Sequence, residues 1–336
     1  MNYIGSKSRL SVFLKEEISK VVEGELIEKI FCDIFAGTGI VGRSFKRDVK
    51  KVISNDLENY SFVLNKNYIE NSSDMDEKQR YIDELNALNL RNDGFIYQNY
   101  CLGGSGKRQY FSDKNGKKID TVRLQIKEWY ENKTIDENMF YFLLASLLES
   151  ADKVANTASM YGAYLKHLKK TAQKEMILES AHFETAGSGH RVYNEDANEL
   201  IRKIEGDILY LDPPYNHREY GANYHLLNTI ALYDEFEPRG KSGLREYKKS
   251  RYCKKKYVHN TFEELIKYAK FKYIFLSYNN EGLMSEKDVK EIMSKYGKYD
   301  LATTEYKRFK ADKTEKRNHR TGSTFEYLHI LQKDGF

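Results

Sequence analysis

The sequence contains few prolines, few cysteines and no long hydrophobic run. Of its 336 residues, three are proline, three are cysteine and one is tryptophan. The cysteines are far apart and lack CxxC spacing, and the histidines are scattered, so neither a disulfide framework nor a metal site is predicted and a reducing, cytoplasmic setting is expected. No stretch approaches the roughly 20 apolar residues of a membrane span, and the first residues lack the apolar segment of a secreted precursor.

The charged residues are nearly balanced overall but unevenly distributed. There are 55 basic and 50 acidic residues, a net charge of +5. Nine basic residues and one acid fall in 239–256, and seven basic residues and two acids fall in 306–320. Such stretches indicate contact with nucleic-acid phosphates, with an ordinary solvated face as the alternative.

The order of predicted elements indicates an α/β fold. Residues 29–35 predict a buried strand, which is followed by a glycine-rich loop and a helix from Ile40, and a second strand ends at Asn55-Asp56. Further strands are predicted at 207–211, 271–278, 299–306 and 325–332.

The region 71–189 shows no strand–helix alternation and carries a strongly apolar helix at 137–150. It is therefore predicted to be an inserted, mostly helical subdomain within a main domain formed by 1–70 and 190–336. A second, basic insertion is predicted at 217–258. Two local signals add detail: Asn115-Gly116 is typical of a hairpin turn, and Thr261 with Glu264 predicts a capping box that opens a helix.

The strongest motif is Asp212-Pro213-Pro214-Tyr215 at the end of a predicted strand, where two of the three prolines stand together. The prolines make the loop rigid and remove two backbone donors. The Asp212 carboxylate beside the Pro213 carbonyl offers two acceptors, which suit the two hydrogens of an exocyclic amino group. Tyr215 offers a flat face for a planar ring, whereas the alternative is an ordinary turn.

A second motif runs from Asp33 to Gly39 between a strand and a helix. Gly37, Gly39 and Gly42 fit G-x-G-x-x-G spacing, which lets backbone approach a nucleoside cofactor. Asp56 ends the next strand about 20 residues later, where a ribose-binding carboxylate is expected. The spacing alone leaves open a dinucleotide, another nucleoside or tight packing.

Together these residues resemble the amino-methylating DNA methyltransferases that use S-adenosylmethionine. D-P-P-Y at 212–215 resembles their catalytic motif, D-I-F-A-G-T-G at 33–39 their cofactor loop, and Y-I-G-S-K at 3–7 their N-terminal cofactor segment. The motif order and the aspartate are similar to the Dam-like alpha group of adenine-N6 enzymes. Among Type II modification enzymes, the resemblance is to the CATG-methylating group.

The resemblance implies a Rossmann-like fold with a mixed sheet, in which 71–189 is the target-recognition region. It places the target adenine at Asp212, Pro213, Pro214 and Tyr215. It places the cofactor at Tyr3, Lys7, Asp33, Phe35, Gly37, Gly39, Asp56 and Asp196. The expected partners are duplex DNA and, functionally, a restriction endonuclease of the same specificity.

The residues expected to contact DNA are basic and come from three segments: Lys107, Arg108, Lys248, Lys249, Arg251, Lys254, Lys255, Lys256, Lys313 and Arg317. Two alternatives stay open. An RNA base methyltransferase acting on guanine N2 or adenine N6 shares part of the pattern, and a DNA-binding protein with a degenerate pocket is the non-catalytic reading.

Overall fold

The computed structural model describes residues 7, 10–72, 74–307 and 323–336. The chain divides into two compact units. The helical unit comprises Glu58–Thr185 and Tyr220–Lys248, and the sheet unit comprises the described residues of Ser6–Leu57, Ala186–Glu219 and Lys249–Phe336. Within the described residues, no helix combines the length and the hydropathy of a bilayer span.

Among its described residues the sheet unit has seven strands: β1 (Ile30–Asp33), β2 (Lys51–Asn55), β3 (Arg191–Tyr193), β4 (Glu205–Leu211), β5 (Lys270–Asn279), β6 (Gly297–Lys307) and β7 (Ser323–Lys333). They form one sheet in the order β3-β2-β1-β4-β5-β7-β6. Strands β3, β2, β1, β4 and β5 are parallel, whereas β7 runs antiparallel to both β5 and β6. The predicted α/β fold with a mixed sheet is confirmed.

The two faces of this sheet differ because alternate residues of a strand point to opposite sides. One face presents Cys32, Leu209 and Leu276 to a buried apolar cluster. The other face presents Phe31 and Tyr210, whose rings stack, but it also carries the polar residues at the carboxyl ends of the strands. The polar side chains of the candidate site therefore lie on one face of the sheet.

Among its described residues the sheet unit carries five α-helices and two 3-10 helices. The α-helices are α1 (Ser11–Val21), α2 (Ile40–Phe45), α8 (Ala197–Leu200), α11 (Val258–Tyr268) and α12 (Glu286–Met293), and the 3-10 helices are Leu26–Glu28 and Arg251–Cys253. The prediction that Thr261 opens a helix is wrong, since α11 begins at Val258. Thr261 N–H already donates to the Tyr257 carbonyl at 2.9 Å, so this residue lies inside the first turn. A true capping box is present one helix later, between Ser285 and Asp288.

All named elements of the helical unit are helices: α3 (Asn59–Asn65), a π-helical turn (Lys66–Glu70), α4 (Lys78–Ala87), α5 (Phe95–Tyr100), α6 (Asp113–Glu131), α7 (Glu137–Val154), α9 (Tyr220–Asn223) and α10 (His225–Leu232). The mostly helical character expected for 71–189 agrees with these elements. The segment 217–258 is divided, since Tyr220–Lys248 belongs to the helical unit and the residues from Lys249 to the sheet unit. Roles in recognition for these segments stay predictions.

The predicted hairpin turn at Asn115-Gly116 is wrong, because both residues lie in the first turn of α6. Ser112 caps that helix by accepting a hydrogen bond from Asn115 N–H at 3.3 Å. A Cβ at Gly116 would lie 2.2 Å from Cys101 Sγ, so the glycine serves close packing. The serine cap overrides the turn signal of the Asn-Gly pair.

Candidate functional site

Three carboxylates follow parallel strands and lie at one edge of the sheet. Asp33 ends β1, Asp56 follows β2 and Asp212 follows β4. Asp33 is paired with Tyr210 in the register of β1 and β4, so the Asp212 loop begins beside it. The carboxyl ends of parallel strands form the edge where α/β sheets bind ligands.

The glycine-rich loop is held in place by the neighbouring strand. Ala36 N–H donates to the Asn55 carbonyl at 2.9 Å, and Gly37 N–H donates to Asp56 Oδ2 at 2.8 Å. Gly37 and Gly39 have φ angles of 52° and 74°, a left-handed region that favours glycine. Asp56 therefore shapes the loop as well as ending its strand.

Asp33 is almost fully buried beneath this loop. Its Oδ2 accepts a hydrogen bond from Gly42 N–H at 3.2 Å, while Oδ1 has no hydrogen-bonding partner among the described residues. Burial, and next the charge of Asp212, raise the pKa of Asp33 to about 8. A buried carboxylate oxygen without a partner fits a cationic or hydrogen-donating ligand.

Phe35 and Asp196 lie beside Tyr252, which belongs to the basic stretch 239–256. The Tyr252 ring meets Phe35 edge-on at 5.0 Å, and its hydroxyl donates to Asn198 Oδ1 at 2.8 Å. Asp196 caps the short helix α8 through Asn198 N–H at 2.9 Å and is exposed. Both predicted cofactor residues are thus near one aromatic side chain.

The Asp212 carboxylate contacts a buried lysine. Lys7 Nζ lies 3.3 Å from Asp212 Oδ1 and 2.5 Å from Glu326 Oε1. Burial, opposed by Lys7 and aided by the charge of Glu326, raises the pKa of Asp212 to about 6. Because 19% of the Asp212 side chain remains exposed, an incoming group can still reach it.

Tyr215 is positioned by the loop that follows β5. Its ring packs edge-on against Tyr278 at 6.3 Å, and its carbonyl accepts a hydrogen bond from Leu283 N–H at 2.9 Å. A cavity of about 490 Å³ adjoins this loop, and its lining includes Leu283 and Lys255. The Pro-Pro-Tyr loop is therefore linked to a cleft that carries a basic side chain.

The predicted DNA contacts in the basic segment are all exposed: Lys248, Lys249, Arg251, Lys254, Lys255 and Lys256. Arg251 lies 3.5 Å from Glu264 and 4.0 Å from Asp196, so part of its charge is balanced. Lys254 and Lys256 lie over the Tyr257 ring at 5.8 and 5.5 Å. These are surface cations in positions that phosphates can approach.

Lys107 and Arg108 differ in availability. Lys107 is exposed with a φ of 52°. The Arg108 guanidinium donates to the carbonyls of Asn99, Gly240 and Lys241, at 3.1, 3.0 and 3.2 Å. Base contact by Arg108 stays a prediction, but most of its N–H donors are already bound to backbone carbonyls.

Three predicted residues lie outside the described part of the chain: Tyr3, Lys313 and Arg317. Two others were missed by the sequence analysis, namely Ser277 on β5 and Glu326 on β7. Ser277 Oγ donates to Glu326 Oε1 at 2.9 Å, and both side chains are buried. An acid in the run 325–331, which is otherwise apolar apart from His329, was the available signal.

Comparisons with known proteins agree on one family. The family described as D12 class N6 adenine-specific DNA methyltransferase matches residues 3–292. The chain is 63% identical over 333 residues to Type II methyltransferase M.NlaIII of Neisseria lactamica, covering 99% of each. It is 40% identical over 314 residues to Type II methyltransferase M.CviAII of Paramecium bursaria Chlorella virus 1, covering 93% of each. Type II methyltransferase M.FokI of Planomicrobium okeanokoites is 39% identical over 349 residues, and the chain spans 53% of its length.

Proposed function

The chain belongs to the D12 class N6 adenine-specific DNA methyltransferases, and we propose that it transfers the methyl group of S-adenosylmethionine to adenine N6 in a short duplex DNA site. The observation that carries the proposal is the polar edge of the sheet. There a rigid Asp-Pro-Pro-Tyr loop presents a partly exposed carboxylate beside a second carboxylate that has an unpaired oxygen.

The cofactor proposal is supported by the glycine-rich loop and by Asp33. S-adenosylmethionine supplies an electrophilic methyl group on a sulfonium centre, and its methionine end carries an ammonium group. The unpaired Asp33 oxygen fits that ammonium. Gly37 and Gly39 have no side chain to obstruct the approach of a ligand to the backbone, and Phe35 gives the pocket an apolar wall. Tyr3 and Lys7 are proposed to complete it.

The nucleoside end is proposed to lie along Asp56 and Asp196, the acids that follow β2 and β3. One Asp56 oxygen accepts a hydrogen bond from Gly37 N–H, so the residue proposed to bind the ribose also holds the glycine-rich loop. Asp196 is exposed and suits a hydrogen bond from the adenine of the cofactor. In this arrangement the adenine of the cofactor packs beside Phe35, whose ring contacts Tyr252.

Adenine N6 is a weak nucleophile because its lone pair is delocalised into the ring. We propose that the amino group donates to the Asp212 carboxylate and to the Pro213 carbonyl, which draws N6 toward tetrahedral geometry. The fixed negative charge of Asp212 stabilises the positive charge that builds on N6 during attack. Holding the two reactants in line supplies much of the remaining rate enhancement.

The target atom is inaccessible inside a duplex, so the adenine must be flipped out of the helix. Tyr215 is proposed to stack on the flipped base. Its ring is held by Tyr278, which is in turn fixed by a close glycine: a Cβ at Gly282 would lie 2.1 Å from Tyr278 Cε1. The stacking surface is therefore preformed rather than assembled on binding.

Phosphate contacts are proposed for the exposed lysines Lys248, Lys249, Lys254, Lys255 and Lys256, with Arg251 as a weaker member because of its acidic neighbours. Lys255 also lines the cavity beside the loop that follows β5. Lys107 is the candidate base contact of the helical unit, and Arg108 is proposed to shape the loop around it. Lys313 and Arg317 are proposed from sequence alone.

We also propose that the recognised site is CATG and that the enzyme protects host DNA from a restriction endonuclease of the same specificity. The resemblance to CATG-methylating modification enzymes supports the site. The similarity to several Type II methyltransferases supports the pairing.

The test is methyl transfer from labelled S-adenosylmethionine to unmethylated genomic DNA and to total RNA in parallel. The products are digested to nucleosides, and the labelled one is identified. Label in N6-methyldeoxyadenosine, mapped by sequencing to CATG, is the expected result. Label in RNA alone would transfer the proposal to an RNA base, and absence of label in both would contradict it.

A further inference from the structure

A network of polar side-chain contacts links the Asp212 carboxylate to the antiparallel strands of the sheet. Ser277 Oγ donates to Glu326 Oε1 at 2.9 Å, Glu326 Oε1 contacts Lys7 Nζ at 2.5 Å, and Lys7 Nζ contacts Asp212 Oδ1 at 3.3 Å. Glu326 has 6% of its surface exposed and Ser277 has none. Glu326 also lies beyond residue 292, where the family match ends.

The strand register explains why these groups meet. Asp33 pairs with Tyr210, Tyr210 with Phe275, and Ser277 with Leu328, two residues from Glu326. Because side chains on a strand alternate, Asp33, Tyr210, Ser277 and Glu326 point to the same face. The position of Glu326 on β7 is therefore set by the fold.

In this network of contacts, Lys7 does not pair with Asp212 alone. Lys7 is an ammonium with three donors, and it contacts two carboxylates. Burial lowers the pKa of Lys7, but the negative charges of Asp212 and Glu326 outweigh it and hold the pKa well above its usual value. The raised pKa favours the charged ammonium, which is shared between the two carboxylates and has its shorter contact with Glu326.

We propose that Glu326 is a positioning residue for methyl transfer: it holds Lys7 and takes up part of its charge, so that Asp212 remains a strong acceptor for the adenine amino group. Ser277 fixes the Glu326 carboxylate in turn. Without Glu326, Lys7 would pair with Asp212 alone, and a fully neutralised Asp212 would stabilise the positive charge on N6 less well. This inference rests on the proposed role of Asp212.

The alternative, that Glu326 only stabilises the fold, predicts an unchanged plateau rate per folded molecule. The two accounts are separated by the pH profile of single-turnover methyl transfer. The titratable groups that face Asp212 are Lys7, Asp33, Tyr210, Tyr215 and Glu326. Glu326 raises the pKa of Asp212, so its neutralisation must lower that pKa.

The experiment compares wild-type enzyme with Glu326→Gln, a substitution of nearly equal shape. We expect the plateau rate to fall by about 10-fold, because the acceptor is weakened. We also expect the acid limb of the profile to move to lower pH. Glu326→Asp, which keeps the charge, should restore the position of the acid limb. An unchanged limb and plateau in folded Glu326→Gln would overturn the proposal.

Lys7 provides a second, independent arm. In Lys7→Met the acid limb should move to higher pH, because Lys7 lowers the pKa of Asp212. Adding Glu326→Gln to that variant should move the limb back toward the wild-type position. If Glu326 acted only on the fold, the double variant would keep the plateau rate of Lys7→Met.

The matched control is Glu263→Gln. Glu263 also contacts a lysine, with Lys295 Nζ at 2.9 Å, but this pair is on the surface. The control should keep the wild-type rate and profile. If wild-type enzyme gave no labelled N6-methyldeoxyadenosine, the proposed function would fail. If the wild type were active and the Glu326 variants kept its pH profile and plateau rate, only the inference about Glu326 would fail.

Discussion

Each unit of the molecule holds an aspartate whose pKa is raised to about 6, mainly by burial, yet the contacts of the two carboxyl groups differ. Asp120 of the helical unit accepts hydrogen bonds from Ile96 N–H, Tyr97 N–H and the Tyr233 hydroxyl, at 2.8, 2.8 and 2.6 Å. Asp212 of the sheet unit contacts Lys7 and is 19% exposed. Asp120 has its acceptors filled by the fold, whereas Asp212 keeps acceptor capacity for a ligand.

This difference shows that a shifted pKa alone does not mark a catalytic group. Buried acids shift wherever the chain hides them, and hydrogen bonds then decide their role. Asp120 joins the start of α5 to the end of α10, so its shift reflects packing. Asp212 combines the shift with access, a rigid loop and a second carboxylate, which together indicate chemistry.

The largest expected effect is loss of methyl transfer in Asp212→Ala. Removing the acceptor leaves the developing charge on N6 without its stabilising partner, so the single-turnover rate should fall by at least about 100-fold. The fold should persist, because Asp212 follows a strand and is not part of its ladder. Near-wild-type turnover would contradict the proposed mechanism.

Asp120→Asn should show the opposite pattern. The amide places an N–H where Asp120 now accepts from backbone, so one buried donor loses its partner. We expect the free energy of unfolding to fall by about 2–3 kcal/mol, measured by urea denaturation. The rate per folded molecule should stay close to wild type. A stable but inactive variant would mean that Asp120 has a functional role.

The pH dependence of the rate should follow Asp212. The pKa of this carboxyl group is raised to about 6, and the ionised form is the acceptor. Single-turnover transfer should therefore rise with pH through about 6 and then level off. A rate that is flat between pH 5 and 7 would separate Asp212 from the chemical step.

A smaller effect is expected from the exposed lysines. Lys254→Gln with Lys255→Gln should reduce the slope of log affinity for DNA against log salt by about 2, one unit for each lost phosphate contact. Lys267→Gln with Lys270→Gln, near the opposite end of β5, should leave the slope unchanged. Equal slopes in both double variants would argue against phosphate contact at Lys254 and Lys255.

The sequence predicted the sheet unit better than its polar network. Strand positions follow from apolar runs that end in Asp33, Asp56 and Asp212, so the edge of the sheet was readable. Glu326 was not, because the contact with Lys7 joins residues 319 positions apart and depends on the antiparallel insertion of β7.

Local signals failed where tertiary contacts decided the structure. Asn115-Gly116 became helical because Ser112 caps α6 and the glycine packs on Cys101. Base contact by Arg108 stays a prediction, and its guanidinium also holds the 238–243 loop through carbonyl oxygens. A basic side chain in a glycine-rich segment does not reveal from sequence whether backbone or a ligand will use its donors.

The most direct test measures two quantities on both variants, Asp212→Ala and Asp120→Asn. These are the rate of N6-methyldeoxyadenosine formation per folded molecule on duplex DNA and the free energy of unfolding. The account predicts that Asp212→Ala loses the rate and keeps the stability, while Asp120→Asn loses stability and keeps the rate. Loss of both quantities in both variants, or an active Asp212→Ala, would contradict it.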